Sequence, residues 1–529
     1  MLDVVLSGGL IVDGTGSSPF VTDIAFAHDR IVRIGDCSAH DAAMHFDCAG
    51  LAVAPGFIDM HSHSDEILLV LPTADGKIRQ GITTEVGGNC GFSPAPLLGL
   101  AFDEKRNDMR RLYDADPTWT DFDGFFRALE QSPPALNFCC LAGLGTIRSA
   151  IGEIGAAPLD PDATARAEQL VRDACEQGAI GISSGLIYPP GKSADTHELI
   201  VLASAARRAG SPLYASHIRS EGDGLIEAVD EALEVGRTSG CAVQLSHHKA
   251  SGRRNWGKVH DTLARVELAR SRGLDVVLDQ YPYKASSTGL DVILPSEVNV
   301  GTREEVAARL SDPQYAALVA ARIELEYGGR WHEVLIAAVG SAKNRRFEGQ
   351  TLADLASETG RTPVAAALQL LVEEKLEVAA IYFTMCEDDI RTVLSYSNTS
   401  IGTDASARAT SGVTFTGKPH PRSFGTFPRI FKRYVRDVGL LTLEEAVRRA
   451  TSLPAARLGL RRRGSLQEGN FADAVIFNRE QIADTATYSQ PYCYPEGIVH
   501  VFVNGTAVVQ DRAMTGLRPG RVLRRGRDL

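Results

Sequence analysis

Gly56-Phe57-Ile58-Asp59-Met60-His61-Ser62-His63-Ser64-Asp65 runs from an apolar strand straight into two histidines separated by one residue. In an extended chain, residues two apart project from the same side, so His61 and His63 can converge on one metal ion at the strand's end. Imidazole is a common zinc ligand and also an ordinary polar core group, so the pair alone does not separate the two roles. Partners elsewhere in the chain must decide.

Outward from this strand the chain repeats one unit: a short apolar strand, a polar or glycine-rich turn, then an amphipathic helix. Strands are predicted at 57–61, 82–88, 137–144, 179–185, 212–217, 242–247, 276–281 and 399–404, with helices such as 160–177, 223–240 and 259–272 between them. Asp160-Pro161 supplies an N-cap and a first-turn start. Eight such strands alternating with helices predict a parallel (β/α)8 barrel over residues 56–463, with its working face at the carboxyl ends of the strands. Residues 3–54 instead alternate apolar and polar, as do 464–477 and 500–509, so residues 1–55 with 464–529 are expected to form one small β-sandwich built from both chain ends. The stretch between the seventh and eighth strands far exceeds a usual connection, which predicts an inserted helical subdomain over 296–396 beside the mouth of the barrel.

A chain of 529 residues exceeds the roughly 250–300 at which one core stops growing, in keeping with a large domain plus smaller modules. Apolar residues at 44% and charged residues at 23% are the balance of a globular protein. The net charge of −11 disfavours nucleic acid, and the arginine-rich stretch 518–527 reads as a solvated terminus. No apolar run reaches the ~18 residues that span a bilayer, and the start Met1-Leu2-Asp3-Val4-Val5-Leu6 lacks the features of a secretory signal, so a cytoplasmic protein with a small-molecule partner is expected. Composition leaves a homo-oligomer open. Nine cysteines, among them the adjacent Cys139 and Cys140, show no disulfide spacing, so a working thiol has to be found by context.

Context singles out Cys90, which follows the second strand among Gly87, Gly88 and Gly91. The fifth strand ends at His217 and the sixth at His247, each preceded by serine, and the eighth ends at Asp404. Read from the residues alone, His61 and His63 can hold one metal and His217 and His247 another, with Cys90 between them as a thiolate and Asp404 as proton carrier. Zinc suits imidazole mixed with thiolate, and an open coordination position points to metal-assisted hydrolysis.

Through Gly56–Asp65, EVGGNCGFSPAP (85–96), GISSGLIYPPG (181–191), SHIRSEGD (216–223), LSHHKASG (245–252), DQYPY (279–283), GTD (402–404) and HPRSFGTFPR (420–429), the chain resembles the amidohydrolase superfamily, and within it the D-aminoacylase (N-acyl-D-amino-acid deacylase) branch. The resemblance spans nearly the whole chain and implies zinc-dependent hydrolysis of N-acyl-D-amino acids. It implies that Cys90, His217 and His247 hold one tight zinc, while His61, His63 and Asp404 frame a weaker or empty second site. Asp404 would serve as general base and then general acid, and Tyr188 would polarise the scissile carbonyl. Lys249 and Arg422 match positions that clamp the substrate α-carboxylate, with hydroxyls from Tyr281 and Ser287 beside them.

Residues 285–300 carry no Lys or Arg but include Asp291 and Glu297, which favours neutral or hydrophobic D-residues, dipeptides with a C-terminal D-residue included. One departure from the family is the segment 405–418, longer than usual and carrying Arg408, a rival for the clamp. An amidohydrolase acting on a hydantoin, cyclic ureide or N-carbamoyl compound is the alternative, against which stands the absence of a lysine at the end of the fourth strand, Ile182-Ser183-Ser184-Gly185. A non-catalytic scaffold would be expected to have lost ligands, and this chain carries all of them.

Overall fold

Eight short strands, buried along almost their whole length, pair in parallel around one axis and, covered on both faces, show no regular polar alternation. The computed structural model describes residues 2–529, and for residues 326 and 327 the backbone. The barrel strands are β1 (Phe57–Asp59), β2 (Ile82–Gly87), β3 (Asn137–Cys140, resumed at Ala142–Gly143), β4 (Ile182–Gly185), β5 (Leu213–His217), β6 (Ala242–Leu245), β7 (Val276–Gln280) and β8 (Thr399–Ile401). Each pairs in parallel with the next; β3 meets β2 through its first half and β4 through its second. The ring closes where Met60 N donates to the Ile401 carbonyl at 3.3 Å and Ser62 bridges Ala405 in parallel.

The connecting helices form where their caps and apolar stripes predict. Pro161–Glu176 begins with the Asp160 side chain accepting from Ala163 N at 2.8 Å, and Leu225–Ser239 stops at Gly240, whose φ of 73° lies in the left-handed region. No described helix is long and apolar enough to cross a membrane.

Both chain ends build one hydrogen-bonded sheet of nine strands that folds over on itself: the strands of Phe26 and Phe502 have three others between them in the sheet, yet the two rings meet at 5.5 Å, and the pairing is mixed rather than all antiparallel. Leu2–Ile11 pairs antiparallel with Phe20–Ala27, but in parallel with both Ala42–Asp47 and Ala52–Pro55. The difference arises because the ten-residue first strand is long enough for its second edge to take two returning segments in succession. Gly9 permits this: a Cβ there would stand 2.5 Å from Val53 Cγ2. Ala52–Pro55 then pairs antiparallel with Ala474–Phe477, which stitches the two ends of the chain together. Phe26, Phe46 and Phe502 pack edge to face in the core of this sheet.

The segment between β7 and β8 is not purely helical. Ser286–Gly289, Val378–Tyr382 and Val334–Val339 form an antiparallel sheet with Val378–Tyr382 in the middle. Helices Arg303–Leu310, Pro313–Tyr327, Leu352–Thr359 and Pro363–Glu373 cover it around a separate core that includes Ile323, Trp331, Leu352 and Leu371. Short apolar runs such as Val334–Val339 carry no period that distinguishes strand from buried helix, so periodicity missed them.

Candidate metal centre

Three of the residues that the sequence singles out take backbone conformations that side-chain-bearing residues seldom adopt: Cys90 has φ 54°, His247 φ 34° and Asp404 φ 50°. Neighbours hold each in place. Asp404 N donates to the His61 carbonyl at 2.8 Å, and His247 N donates to Asp279 Oδ1 at 2.8 Å. The Cys90 turn fits because Gly185 lacks a side chain; a Cβ there would stand 2.0 Å from the Cys90 carbonyl oxygen.

The strand ends converge on the Cys90 thiol. Its Sγ lies 3.2 Å from His61 Nε2, 3.5 Å from His247 Nε2 and 3.6 Å from His217 Nδ1, all of them buried. Asp404 Oδ1 approaches His63 Nε2 at 3.0 Å and His61 Nε2 at 3.6 Å. Cys90 thus stands between His61 of one pair and His217 and His247 of the other, with His63 joined through Asp404. Burial works against ionisation of Cys90, but the surrounding imidazoles hold its thiol well below the ordinary range. Burial likewise opposes charge on His63, yet Asp404 and Cys90 lift it to about 9.

The donor set fits zinc. Zn–S of about 2.3 Å and Zn–N of about 2.0 Å place two tetrahedral ligand atoms about 3.5 Å apart, and the separations from Cys90 Sγ bracket that figure. His217 Nε2 is also buried with no hydrogen-bond partner among the described residues.

Two carboxylates that motif reading passed over brace the imidazoles. Asp279, at the end of β7, lies 3.2 Å from His61 Nδ1, besides accepting from His247 N. Glu221 Oε1 lies 3.0 Å from His247 Nδ1 and 3.8 Å from His217 Nε2, and the Lys249 ammonium donates to it. Carboxylates of this kind set which ring nitrogen carries a proton and raise the basicity of the other. The available signal was position: Glu221 stands four residues after His217, and Asp279 ends a barrel strand.

Arg422 and Lys249, expected from the sequence to clamp a carboxylate, both lie beside the Tyr281 ring. The Arg422 guanidinium lies 4.7 Å from the Tyr281 ring centre and Lys249 Nζ lies 5.8 Å from it. Arg422 Nη1 stands 2.7 Å from Asp404 Oδ2, and Nη2 donates to the Ser287 carbonyl at 3.1 Å, so Ser287 meets Arg422 through its backbone. Arg408 is turned into its own loop, donating to the Thr414 carbonyl at 3.1 Å and to the Tyr492 hydroxyl at 3.2 Å. It braces the long 405–418 segment. Tyr188 sits with its ring 4.9 Å from that of His217; burial, with the Cys90 charge adding to it, pushes its phenol well above the usual value, so it keeps its proton.

The Amidohydrolase family model matches residues 45–318 and 398–509, leaving out most of the inserted sheet and helices. An N-acyl-D-glutamate deacylase of Alcaligenes xylosoxydans xylosoxydans is 39% identical over 526 residues, covering 99% of this chain and 97% of its own. A D-aminoacylase of the same organism is 37% identical over 528 residues, covering 99% and 98%. Among solved structures, the N-acyl-D-glutamate deacylase from Bordetella bronchiseptica, complexed with zinc and a phosphonate that mimics the tetrahedral intermediate, superposes with a TM-score of 0.83 at 35% identity, covering 99% of each chain.

Proposed function

This chain belongs to the amidohydrolase family, and on that premise we propose that it hydrolyses the amide bond of N-acyl-D-amino acids in a zinc-dependent reaction, releasing a carboxylate and a free D-amino acid. The observation that carries the reading is the buried thiol ringed by three imidazoles, with Asp404 at its edge and two cations, Arg422 and Lys249, beside the Tyr281 ring.

Cys90, His217 and His247 would hold the tight zinc, and His61, His63 and Asp404 would frame a second, weaker position. Zinc, when bound, supplies Lewis acidity that polarises a carbonyl and lowers the pKa of water. The Asp404 carboxylate accepts a proton from the attacking water and returns it to the leaving amine nitrogen. The Tyr188 phenol donates to the carbonyl oxygen as charge develops there. Arg422 and Lys249 pair with the α-carboxylate, fixing the Cα substituents relative to Asp404 and hence the enantiomer accepted. Glu221 and Asp279 hold the imidazoles in place.

Neutral or hydrophobic side chains suit the 285–300 segment. Its Asp291 is engaged with Asn299 at 2.9 Å, and the nearby Lys192 donates to the Ser296 carbonyl at 2.8 Å, leaving no free cation pointed at an acidic side chain from this segment. The reading carries with it a cytoplasmic location and a small-molecule partner. A paired assay of N-acetyl-D- and N-acetyl-L-amino acids with zinc-loaded protein, D-leucine, D-methionine and D-glutamate derivatives included, tests it. Turnover confined to D-substrates and fastest on the neutral ones is expected; equal rates on both enantiomers, or activity on cyclic amides alone, would overturn it.

A further inference from the structure

One strand of the inserted subdomain, Ser286–Gly289, reaches the metal centre. This strand forms one edge of its three-stranded sheet, pairing through Thr288 with Ala380, and its opposite side faces the barrel. Two consecutive residues make the contact. The Ser287 carbonyl accepts from Arg422 Nη2 at 3.1 Å, and the Thr288 hydroxyl donates to the Tyr188 hydroxyl at 3.0 Å.

A phenol has one proton and two acceptor lone pairs. With Thr288 donating into a lone pair, the Tyr188 proton is not consumed by this bond and stays available for a carbonyl in the site. Accepting a hydrogen bond also polarises the phenol, which strengthens it as a donor. The ring is flanked by His217 at 4.9 Å and by Phe92 at 5.6 Å, contacts that restrain the ring while the Thr288 bond restrains its hydroxyl end.

We infer that Thr288 is a positioning residue for Tyr188: it holds the phenol so that the Tyr188 proton points to the scissile carbonyl. The inference rests on the deacylase reading. It makes the inserted subdomain part of the catalytic arrangement, since Thr288 belongs to its sheet and Tyr188 to the loop after β4. A shift of that sheet relative to the barrel would loosen the Ser287–Arg422 and Thr288–Tyr188 contacts together.

The experiment is a double-mutant cycle on the full-length zinc-loaded protein. Thr288→Val keeps the shape and removes the hydroxyl; kcat on N-acetyl-D-leucine is expected to fall roughly 3- to 10-fold with KM changed less, and Thr288→Ser to restore it. In a Tyr188→Phe background, which lacks the phenolic oxygen, Thr288→Val is expected to cost nothing further. An unchanged kcat in Thr288→Val, or a penalty that persists in Tyr188→Phe, overturns the inference. If the wild type turns over none of these substrates the deacylase reading fails, and crystal structures of wild type and Thr288→Val then decide: a displaced or multiply placed Tyr188 hydroxyl supports the role, and one left in place overturns it.

Discussion

Arg422 Nη1 lies 2.7 Å from Asp404 Oδ2, while the other carboxylate oxygen of Asp404 lies 3.0 Å from His63 Nε2. The cation proposed to receive the substrate's carboxylate is thus paired with the proposed proton carrier. Burial alone would favour the neutral acid, but Arg422 and the imidazoles hold Asp404 well below the usual carboxylate range, so it is ionised at neutral pH and ready to accept a proton.

Replacing Asp404 by Asn keeps a similar shape and removes the basic oxygen. The variant is expected to retain its tight zinc by metal analysis and to lose roughly 10²- to 10⁴-fold in kcat. Near-normal turnover would remove Asp404 from the mechanism.

Arg422→Met disturbs both Asp404 and the carboxylate clamp, and two substrates separate the effects. Against N-acetyl-D-leucine kcat/KM should fall about 10- to 100-fold further than against the corresponding carboxamide, which presents no anion to the guanidinium. Equal losses on the two would assign Arg422 to Asp404 alone.

Cys90→Ala removes the sulfur at the centre of the cluster. Zinc per chain after dialysis should fall towards zero, whereas His63→Ala should leave one zinc in place. Full occupancy in the cysteine variant would leave Cys90 as a small buried residue with no part in metal binding.

Lys77 is wholly buried, its Nζ 2.7 Å from Asp59 Oδ2 and 3.2 Å from Glu85 Oε2. It also donates to Thr403 Oγ1 and to the Ala405 carbonyl, each at 2.8 Å, so it ties the ends of β1, β2 and β8 together. Lys77→Met strands two buried carboxylates, and a loss of roughly 3–5 kcal/mol is expected in denaturant unfolding. An unaltered midpoint would show that water or protonation compensates.

Asp65 gives a pH signature. Burial, with repulsion from Glu66 adding to it, raises its carboxyl from 3.8 to about 7. Between those values the folded state keeps a proton that the unfolded state releases, so this contribution is full below about 4 and is lost as pH rises towards 7. Asp65→Asn, which keeps an oxygen for the 2.8 Å bond from Gly88 N, should flatten the fall in stability between pH 4 and 8. Parallel curves for variant and wild type in chemical denaturation would refute this.

The repeat of apolar strand and amphipathic helix is a local property, and so were the barrel strands and the positions of Cys90, His217, His247 and Asp404 at or just beyond their ends. His61 and His63 were legible for the same reason, since alternation along an extended chain puts both on one side. The inserted sheet was not, because its short apolar strands find their partners only after residues nearly a hundred positions apart have met, as Ser286 meets Tyr382. Glu221 and Asp279 were visible as acids but not as braces, since only closure of the barrel brings Asp279 to His61, 218 positions away in sequence. Sequence by itself determined which chemistry this chain can assemble: a thiol, imidazoles and a carboxylate at the mouth of one barrel. The tertiary structure decided how those groups are oriented, because hydrogen bonds among Asp404, Arg422, Ser287, Thr288 and Tyr188 depend on distances that only a closed barrel with its insertion in place can set.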